Sequence, residues 1–438
     1  MSSGEVPVVV ARPAPAERSH AFSLETVLLA LGVIVIAVAT VWSGADARQV
    51  TGGDYAMDYQ TAMNALLGGH MGTFFAHLPT NGASGSLLLR APFAGLAKLF
   101  GGGQLLIFRL GALACLLAVG ALGVWLAGRM RRTGIALGAR VGLVALCAAT
   151  PTLLEAVSLG HPEEPLGAAL CVAAVLAADR DRPLLAGLLL GTAVINKPWG
   201  VLAVGPVLLC APAQLRRIVG PAAAIVGCWL AAGALVAPGR MLAALHGAET
   251  SIVAHPQDLW WPLSHMDGLY AVPPALLSAH ARQLALALAL ACAVVLAVRA
   301  LLSSAPVGMR RCLALLAVGF ALRCLLEPSS HDYYQLPLLI ALAIWEVYAR
   351  QAVTIALATT LLLTVDFGRL NESTTATASY LLYLAVLLPI CVMLAADLVG
   401  PARRPWAWAP ADAARATAAM PRRRPGWPRR SRSPSGAG

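Results

Sequence analysis

Acids, imidazoles, a lysine and a tyrosine occupy four short polar stretches of an otherwise apolar chain. They are Asp54 and Asp58 in "GGDYAMDYQ", His161, Glu163 and Glu164 in "GHPEEP", Lys197 in "NKPWG", and His331, Asp332 and Tyr333 in "SSHDYYQLP". Carboxylates and imidazoles can move protons or bind hydroxyl groups, and a lysine among them can bind an anion. The set indicates acid–base chemistry or the binding of a charged substrate.

The two aspartates of the first stretch are four residues apart. A helix beginning near Gly53 would place Asp54 and Asp58 on one face, where repulsion should raise the pKa of one of them. One carboxylate could then accept a proton from a hydroxyl group while the other binds the substrate. The alternative for Asp54 is an ordinary acid that is favoured by the dipole at a helix N-terminus.

Lys197 is one of only two lysines in the chain and precedes Pro198, which cannot continue a helix. Its compact charge suits a single phosphate group. The alternative is a lysine at a helix end that extends its ammonium group to the membrane surface.

Glu163 and Glu164 likewise have two interpretations. They either cap the helix that follows His161 or form, with His161, a second wall of the site that binds substrate hydroxyls.

The stretch around His331 supplies a third group of candidates. His331 could donate a hydrogen bond to a phosphate, and Asp332 lies beside it as a further substrate-binding residue. Tyr333 could stack on a ring of the substrate, although tyrosine is common at membrane surfaces without any binding role. The nine cysteines are scattered and form no CxxC pair, which argues against a metal site and against a disulfide framework. We therefore expect neither a metal nor another cofactor.

The composition indicates the scaffold that must hold these residues. Hydrophobic residues make up 58% of the chain and charged residues 12%, which is typical of a protein that crosses a membrane several times. Hydropathy predicts apolar helices at about 22–42, 104–127, 134–156, 165–178, 183–195, 199–213, 218–237, 273–298, 312–326, 334–349, 351–366 and 376–399. Two short helices should meet at "NKPWG", where a break in the membrane needs cover from the protein.

Arginine clusters predict the orientation and the domain limits. They occur in "GRMRRTG", "DRDRP" and "QLRRI", between residues 299 and 311, and after Gly400, so the positive-inside rule places both termini in the cytoplasm. The four polar stretches then lie on the outer face of the cell membrane. We predict a cytoplasmic tail at 1–21, a membrane domain at 22–400, and a disordered basic tail at 401–438. That last tail should contact anionic lipid headgroups and not nucleic acid.

A segment in the first outer loop has an amphipathic pattern. Residues 85–100, "GSLLLRAPFAGLAKLF", should form a helix along the outer surface, with Arg90 and Lys98 toward the headgroups. The helix could guide a lipid substrate or simply lie at the interface.

Several stretches together resemble a known family. One amino-terminal helix is followed by an outer loop with "GGDYAMDYQTAMNALLGG", and "GHPEEPLGAAL", "NKPWG" and "DYYQLPLLIALAIWE" follow further along the chain. This order resembles the GT-C superfamily of integral-membrane glycosyltransferases. It is most similar to the actinobacterial mannosyltransferases that use polyprenyl-phosphate mannose. The resemblance covers most of residues 22–400.

The resemblance implies a fold and an activity. The fold would be an all-α bundle of about 11–13 membrane helices, with amphipathic helices in the first outer loop. The enzyme would move mannose or a similar sugar from a polyprenyl-phosphate donor to a lipid or glycan acceptor of the cell envelope. Asp54 matches the position of the family's catalytic aspartate, which would leave Asp58 to bind sugar hydroxyls.

Two other classes of protein remain open from the sequence. A multi-pass transporter or lipid flippase could use the same acids and histidines to bind protons or substrate, and a structural membrane subunit would need no chemistry. A transporter should carry ionisable residues near the middle of its helices, whereas here they cluster at helix ends on one side.

Overall fold

The computed structural model describes residues 23–79, 85–240, 242, 253–267, 270–272, 274–303, 307–370 and 376–400. The two predicted tails, 1–21 and 401–438, lie outside the described residues, as does the predicted contact of the second tail with lipid.

The described part of the chain is a helical bundle, as predicted. Its helices are α1 (Leu24–Gly44), α2 (Arg48–Thr51), α3 (Gln60–Leu67), α4 (Met71–Ala76), α5 (Ser86–Leu99), α6 (Gln104–Arg132), α7 (Leu137–Ala148), α8 (Pro151–Ser158), α9 (Glu163–Asp179), α10 (Pro183–Asn196), α11 (Val204–Cys210), α12 (Leu215–Val236), α13 (Ala275–Ser303), α14 (Met309–Leu326), α15 (Leu336–Arg350), α16 (Thr354–Val365) and α17 (Ala376–Val399). Short 3₁₀ turns cover Pro198–Ala203, Pro212–Gln214, Trp261–Leu263 and Asp332–Gln335, and π-helical turns cover Tyr55–Tyr59 and Asp366–Leu370. Two three-residue strands, β1 (His265–Asp267) and β2 (Tyr270–Val272), form a small antiparallel ribbon.

The prediction of a helical membrane protein is confirmed at the level of length and composition. Six helical stretches of the described residues are long and apolar enough to cross a membrane: Leu24–Gly44, Gln104–Arg132, Leu137–Ser158, Pro212–Val236, His280–Leu302 and Ala376–Val399. Three further apolar helical stretches are shorter: Pro183–Asn196, Pro198–Cys210 and Thr354–Gly368. The full count of 11–13 membrane helices stays a prediction.

The predicted break at "NKPWG" is confirmed. Helix α10 ends at Asn196, and Lys197 is extended (φ −149°, ψ 135°) because Pro198 excludes helical geometry from the residue before it. The carbonyl of Ile195, near the end of α10, accepts a hydrogen bond from the Gly85 N–H at 2.9 Å. A Cβ on Gly85 would lie 2.4 Å from that oxygen, so glycine lets the first loop approach. The break is therefore covered by protein.

Charged residues separate along the bundle. At the C-terminal end of α9, the Arg180 guanidinium lies 4.0 Å from the centre of the Trp125 ring of α6, near the arginines that end α6. At the N-terminal end of α9, Glu163 lies beside Arg90, which packs over Phe108 near the start of α6. The seventeen residues of α9 place these two ends roughly 25 Å apart. Several arginines thus lie near the C-terminal end of α9, whereas the polar stretches meet at its N-terminal end, where Arg90 and Arg323 join them.

Candidate functional site

The two aspartates of the first loop lie on a π-helical turn. The turn follows Asp54 and covers Tyr55–Tyr59, so the helix predicted near Gly53 forms with wider geometry than an α-helix. Tyr55 and Tyr59 are fully buried, whereas Asp54 and Asp58 are partly exposed. π-helical turns are frequent at functional sites because they redirect side chains within a helix.

Gly160 brings the second polar stretch against this turn. Its φ of +88° is unfavourable for other residues, and a Cβ there would lie 2.9 Å from the Tyr55 nitrogen. The following residue, His161, is thereby placed with its Nε2 atom 3.0 Å from Asp54 Oδ2. The other ring nitrogen, Nδ1, lies 3.0 Å from Glu163 Oε1.

Glu163 is the centre of a buried network. Lys197 Nζ lies 3.1 Å from Glu163 Oε1, and the Tyr59 hydroxyl donates to the same oxygen at 3.3 Å. Arg90 Nη1 lies 3.6 Å from Oε2. Burial alone would raise the pKa of Glu163, but Lys197, His161 and Arg90 together hold it well below its usual value. The carboxylate is therefore ionised at neutral pH.

Glu164 extends the network toward α14. Its Oε1 atom lies 3.3 Å from Lys197 Nζ and 3.4 Å from Arg323 Nη2, and it accepts a hydrogen bond from the Trp199 indole at 3.4 Å. Both glutamates are buried, with 0% and 1% of the residue surface exposed. Of the two interpretations from sequence, the position in the first turn of α9 fits a helix cap, and the second wall would be occupied by protein, because His161, Lys197, Arg90 and Arg323 converge on Glu163 and Glu164.

The positions of Lys197 and Arg90 differ from two expectations. Lys197 is only 8% exposed and bridges both glutamates, so it does not extend its ammonium group to the membrane surface. Arg90 was expected to face the headgroups, but it is fully buried between the rings of Tyr55 and Phe108. Helix α5 forms as predicted, and the carboxylate of Glu163 attracts the arginine to its inner face. Lys98 is exposed, as expected.

Basic side chains and carboxylates meet in the network. Arg90, His161, Lys197 and Arg323 face the carboxylates of Asp54, Glu163 and Glu164. Asp58 lies close enough to these groups to interact electrostatically with His161 and Lys197. Burial is the main reason that the pKa of Asp58 is raised, with repulsion from Asp54 adding to it. The predicted rise therefore occurs at Asp58, and the hydrogen bond from His161 lowers the pKa of Asp54.

A stack of rings forms the other side of the site. The Tyr333 ring stacks on His161 at 4.8 Å between ring centres and on His331 at 5.5 Å. His331 in turn lies 5.2 Å from His255. Tyr333 is 3% exposed, so it is a buried spacer between two imidazoles and neither a membrane-surface tyrosine nor an open sugar platform.

The segment that carries His255 is fixed by Asp258. This buried carboxylate accepts hydrogen bonds from the His255 N–H at 2.5 Å and from the Ser330 N–H at 2.7 Å. Burial, together with His255 and His161, lowers the pKa of His331 to about 4. His331 is therefore neutral at pH 7 and can offer a phosphate a hydrogen bond but no positive charge.

Asp332 stays apart from the network. Its carboxylate accepts a hydrogen bond from the Tyr333 N–H at 2.5 Å, and no ion pair joins it to the network within the described ranges. Burial, followed by repulsion from Glu155, raises its pKa to about 7.

The structure thus brings together eight of the nine residues selected from sequence: Asp54, Asp58, His161, Glu163, Glu164, Lys197, His331 and Tyr333.

Four further residues of the site were not selected from sequence. Arg323 lies in the apolar helix α14, a dozen residues from the arginines at its start, and a charge in that apolar run is a signal that could have identified it. Arg90 was assigned to the wrong face of α5. Tyr59 and His255 carry no distinguishing sequence signal, because only the tertiary structure places them beside Glu163 and His331.

Comparison with known proteins does not identify the chain. No protein-family model matches the sequence, and no curated protein matches it significantly. Among the described residues, no group of three or more His, Cys, Asp or Glu side chains is arranged to hold a metal ion. What can be said about function therefore depends on the geometry of the site.

Proposed function

We propose that this protein is a membrane glycosyltransferase of GT-C type. It moves mannose or a similar sugar from a polyprenyl-phosphate donor to a lipid or glycan acceptor of the cell envelope, with Asp54 as the general base. The site lies at the outer face of the cell membrane. The donor's phosphate is already an activated leaving group, so the enzyme mainly accepts the proton of the acceptor hydroxyl and stabilises the phosphate charge.

One observation carries this proposal. Asp54 is an accessible carboxylate that a hydrogen bond joins to the network, with 43% of its side chain exposed, whereas Glu163 and Glu164 are buried. Its Oδ2 atom is held by His161, and its Oδ1 atom has no hydrogen-bond partner among the described residues. A carboxylate with one fixed oxygen and one open oxygen can accept a proton from a hydroxyl group placed against it.

The surrounding charges support a phosphate leaving group. Arg90, His161, Lys197 and Arg323 lie together in the network, and we assign to these basic side chains the stabilisation of a negative charge that develops nearby. His331 is partly exposed and neutral, and we assign it a hydrogen bond to the phosphate or the sugar. Asp58 is partly exposed beside Asp54, and we assign it to the sugar hydroxyls. In this scheme Lys197 holds the carboxylates of Glu163 and Glu164 in place and does not contact the phosphate.

The second candidate is a transporter or flippase that uses the same residues to bind a proton or a lipid. Its specific support is the raised pKa of Asp332, at about 7, which would allow proton exchange near neutral pH. The location of the network at the start of α9, and not in the middle of the bundle, favours the enzyme.

A transfer assay with one matched control tests the proposal. Polyprenyl-phosphate sugar with a radiolabelled sugar is supplied to the protein in membranes that contain acceptors, and labelled product is counted. Asp54→Asn should lower the rate at least about a hundredfold and leave donor binding intact. Asp46→Asn is the control, because Asp46 lies in the same loop with the same exposed fraction of 43% but pairs with Arg48.

The outcomes separate the candidates. A normal rate for Asp54→Asn together with an inactive Asp58→Asn would exchange the roles of the two aspartates. Normal rates for both would remove the catalytic base from the proposal. Movement of labelled lipid across the membrane by the wild type, without any transfer of sugar, would favour the transporter.

A further inference from the structure

His161 joins an accessible carboxylate to a buried one. Its Nε2 and Nδ1 atoms each lie 3.0 Å from a carboxylate oxygen, the first of Asp54 and the second of Glu163. The ring is buried and stacks on Tyr333, with ring planes 21° apart, so its orientation is fixed. The position of the exposed Asp54 carboxylate thus depends on a buried anchor.

The two carboxylates determine which protonation state the ring needs. A neutral imidazole has one N–H donor and one nitrogen with a lone pair, so it can satisfy one ionised carboxylate and would direct its lone pair at the other. An imidazolium donates from both nitrogens. Lys197 and Arg90 keep Glu163 ionised, and Asp54 is partly exposed to water. The proton therefore belongs on His161.

We infer that His161, as an imidazolium, is the positioning residue for Asp54 and makes the activity of the site depend on a protonated histidine. It donates to Asp54 Oδ2 and Glu163 Oε1 at the same time and leaves Asp54 Oδ1 open to the acceptor hydroxyl. This inference rests on the proposed role of Asp54 as the base. Loss of the ring proton replaces one of the two hydrogen bonds with a repulsive contact, and Asp54 is no longer held in one orientation.

The groups that face the ring come from four parts of the fold. They are Asp54, Asp58 and Tyr59 from the first loop, Glu163 from the start of α9, Lys197 from the break after α10, and His331 and Tyr333 from the turn before α15. Burial alone would lower the pKa of His161, and Lys197 opposes the imidazolium as well. The hydrogen bonds to Asp54 and Glu163 outweigh both effects, so the pKa of His161 is raised above its usual value.

The expected pH dependence is the opposite of that of a simple carboxylate base. Asp54 remains ionised well into the acidic range because His161 lowers its pKa. A group whose folded pKa is raised contributes its stabilisation at low pH and loses it as the pH rises through that folded value. The rate of sugar transfer should therefore be steady near pH 6 and should decline as the pH rises through the raised pKa of His161.

The first test measures the protonation state directly. Protein with ¹⁵N-labelled histidine is placed in lipid nanodiscs, and ¹H–¹⁵N spectra that distinguish imidazolium from neutral imidazole are recorded across the pH range. The signal that disappears in His161→Gln identifies the residue among the nine histidines. We expect an imidazolium at pH 7, with a titration midpoint that moves to lower pH in Asp54→Asn. A neutral ring at pH 7 overturns the inference.

The second test measures turnover in the same preparations. His161→Gln should lower kcat by on the order of tenfold to a hundredfold, the cost of a misplaced catalytic group, and leave the KM for the donor little changed. The residual rate should lack the alkaline decline. His280→Gln is the control, because His280 is exposed on α13 and the chemical change is the same. An alkaline decline that persists in His161→Gln contradicts the role of His161.

The two tests separate this inference from the proposed function. An imidazolium at His161 in a wild-type protein that transfers no sugar would reject the glycosyltransferase and leave the hydrogen-bonded pair intact. Active wild-type protein with a neutral His161 would reject the positioning role and leave Asp54 as the base.

Discussion

The guanidinium of Arg90 lies 3.6 Å from the carboxylate of Glu163, and both side chains are buried. Arg90 belongs to α5 of the first loop, and Glu163 begins α9. The contact therefore fixes the amphipathic helix of the loop to the network that holds Asp54. The contribution of this ion pair to the stability of the protein can be measured, because removal of one partner leaves the other charge buried with fewer groups of opposite sign around it.

Replacement of Arg90 by methionine should destabilise the protein more than the same change at Lys98. Arg90→Met keeps apolar contact with Tyr55 and Phe108 but removes a buried charge, and the loss in free energy of unfolding should be about 3–5 kcal/mol. Lys98 is exposed on the same helix, so Lys98→Met should change stability little. Denaturant unfolding in mixed micelles measures both variants. Equal effects would show that Arg90 does not anchor α5.

Two buried tyrosines offer a second matched pair. The Tyr59 hydroxyl donates to Glu163 Oε1 at 3.3 Å, whereas the Tyr55 hydroxyl has no hydrogen-bond partner among the described residues. Tyr59→Phe should cost about 1.5 kcal/mol, the lower end of the range for a hydrogen bond to a charged group, because the bond is long. Tyr55→Phe should be neutral or slightly stabilising. The prediction fails if Tyr55→Phe proves the more harmful change.

We expect Lys197 to contribute mainly to the stability of the protein and not to the binding of the donor. Lys197→Met leaves Glu163 and Glu164 with fewer cations, and we expect a loss of about 3–5 kcal/mol together with lower expression. Lys197→Arg keeps the charge and should retain most of the stability. Adding Glu164→Gln to Lys197→Met should recover part of the loss, because the two side chains interact directly. A stable Lys197→Met protein with weak donor binding would instead support a direct contact between Lys197 and the donor phosphate.

The orientation in the membrane is open to chemical labelling. Met57 is 69% exposed beside Asp54, and Arg131 is exposed at the opposite end of the bundle. A membrane-impermeant maleimide applied to intact cells should label Met57→Cys but not Arg131→Cys, with the wild type as background, and a reporter fused after Gly400 should be cytoplasmic. Gln257 lies on the same predicted outer face but is buried, so it is unsuitable for a label. Labelling of Arg131→Cys from outside would invert the proposed orientation.

The helices of this protein could be predicted closely because their signal is local. Runs of apolar residues of about membrane length, ended by glycine, proline or arginine, led to boundaries within a few residues of α1, α6, α9 and α17. The break at Lys197 also follows from its neighbour, since Pro198 restricts the backbone before it.

The side chains that meet at the site could be selected from sequence only as a set. Ionisable residues are costly in an apolar protein, so Asp54, His161 and Lys197 are conspicuous among their neighbours. Their roles could not be assigned, because burial and pairing depend on residues more than a hundred positions apart, such as Asp54 and His161. Arg90 shows the limit most clearly: its helix was predicted correctly, and its face was not.

The sequence by itself thus determined a helical protein with segments apolar enough to cross a membrane and with arginine clusters apart from the four polar stretches, because hydropathy and charge act on each segment separately. Only the tertiary structure decided which carboxylate remains accessible. Glu163 and Glu164 are neutralised by Lys197, Arg90 and Arg323, whereas Asp54 retains an open oxygen. The physical reason is that a buried charge needs a partner of opposite sign, and partners from distant helices are defined only when those helices pack.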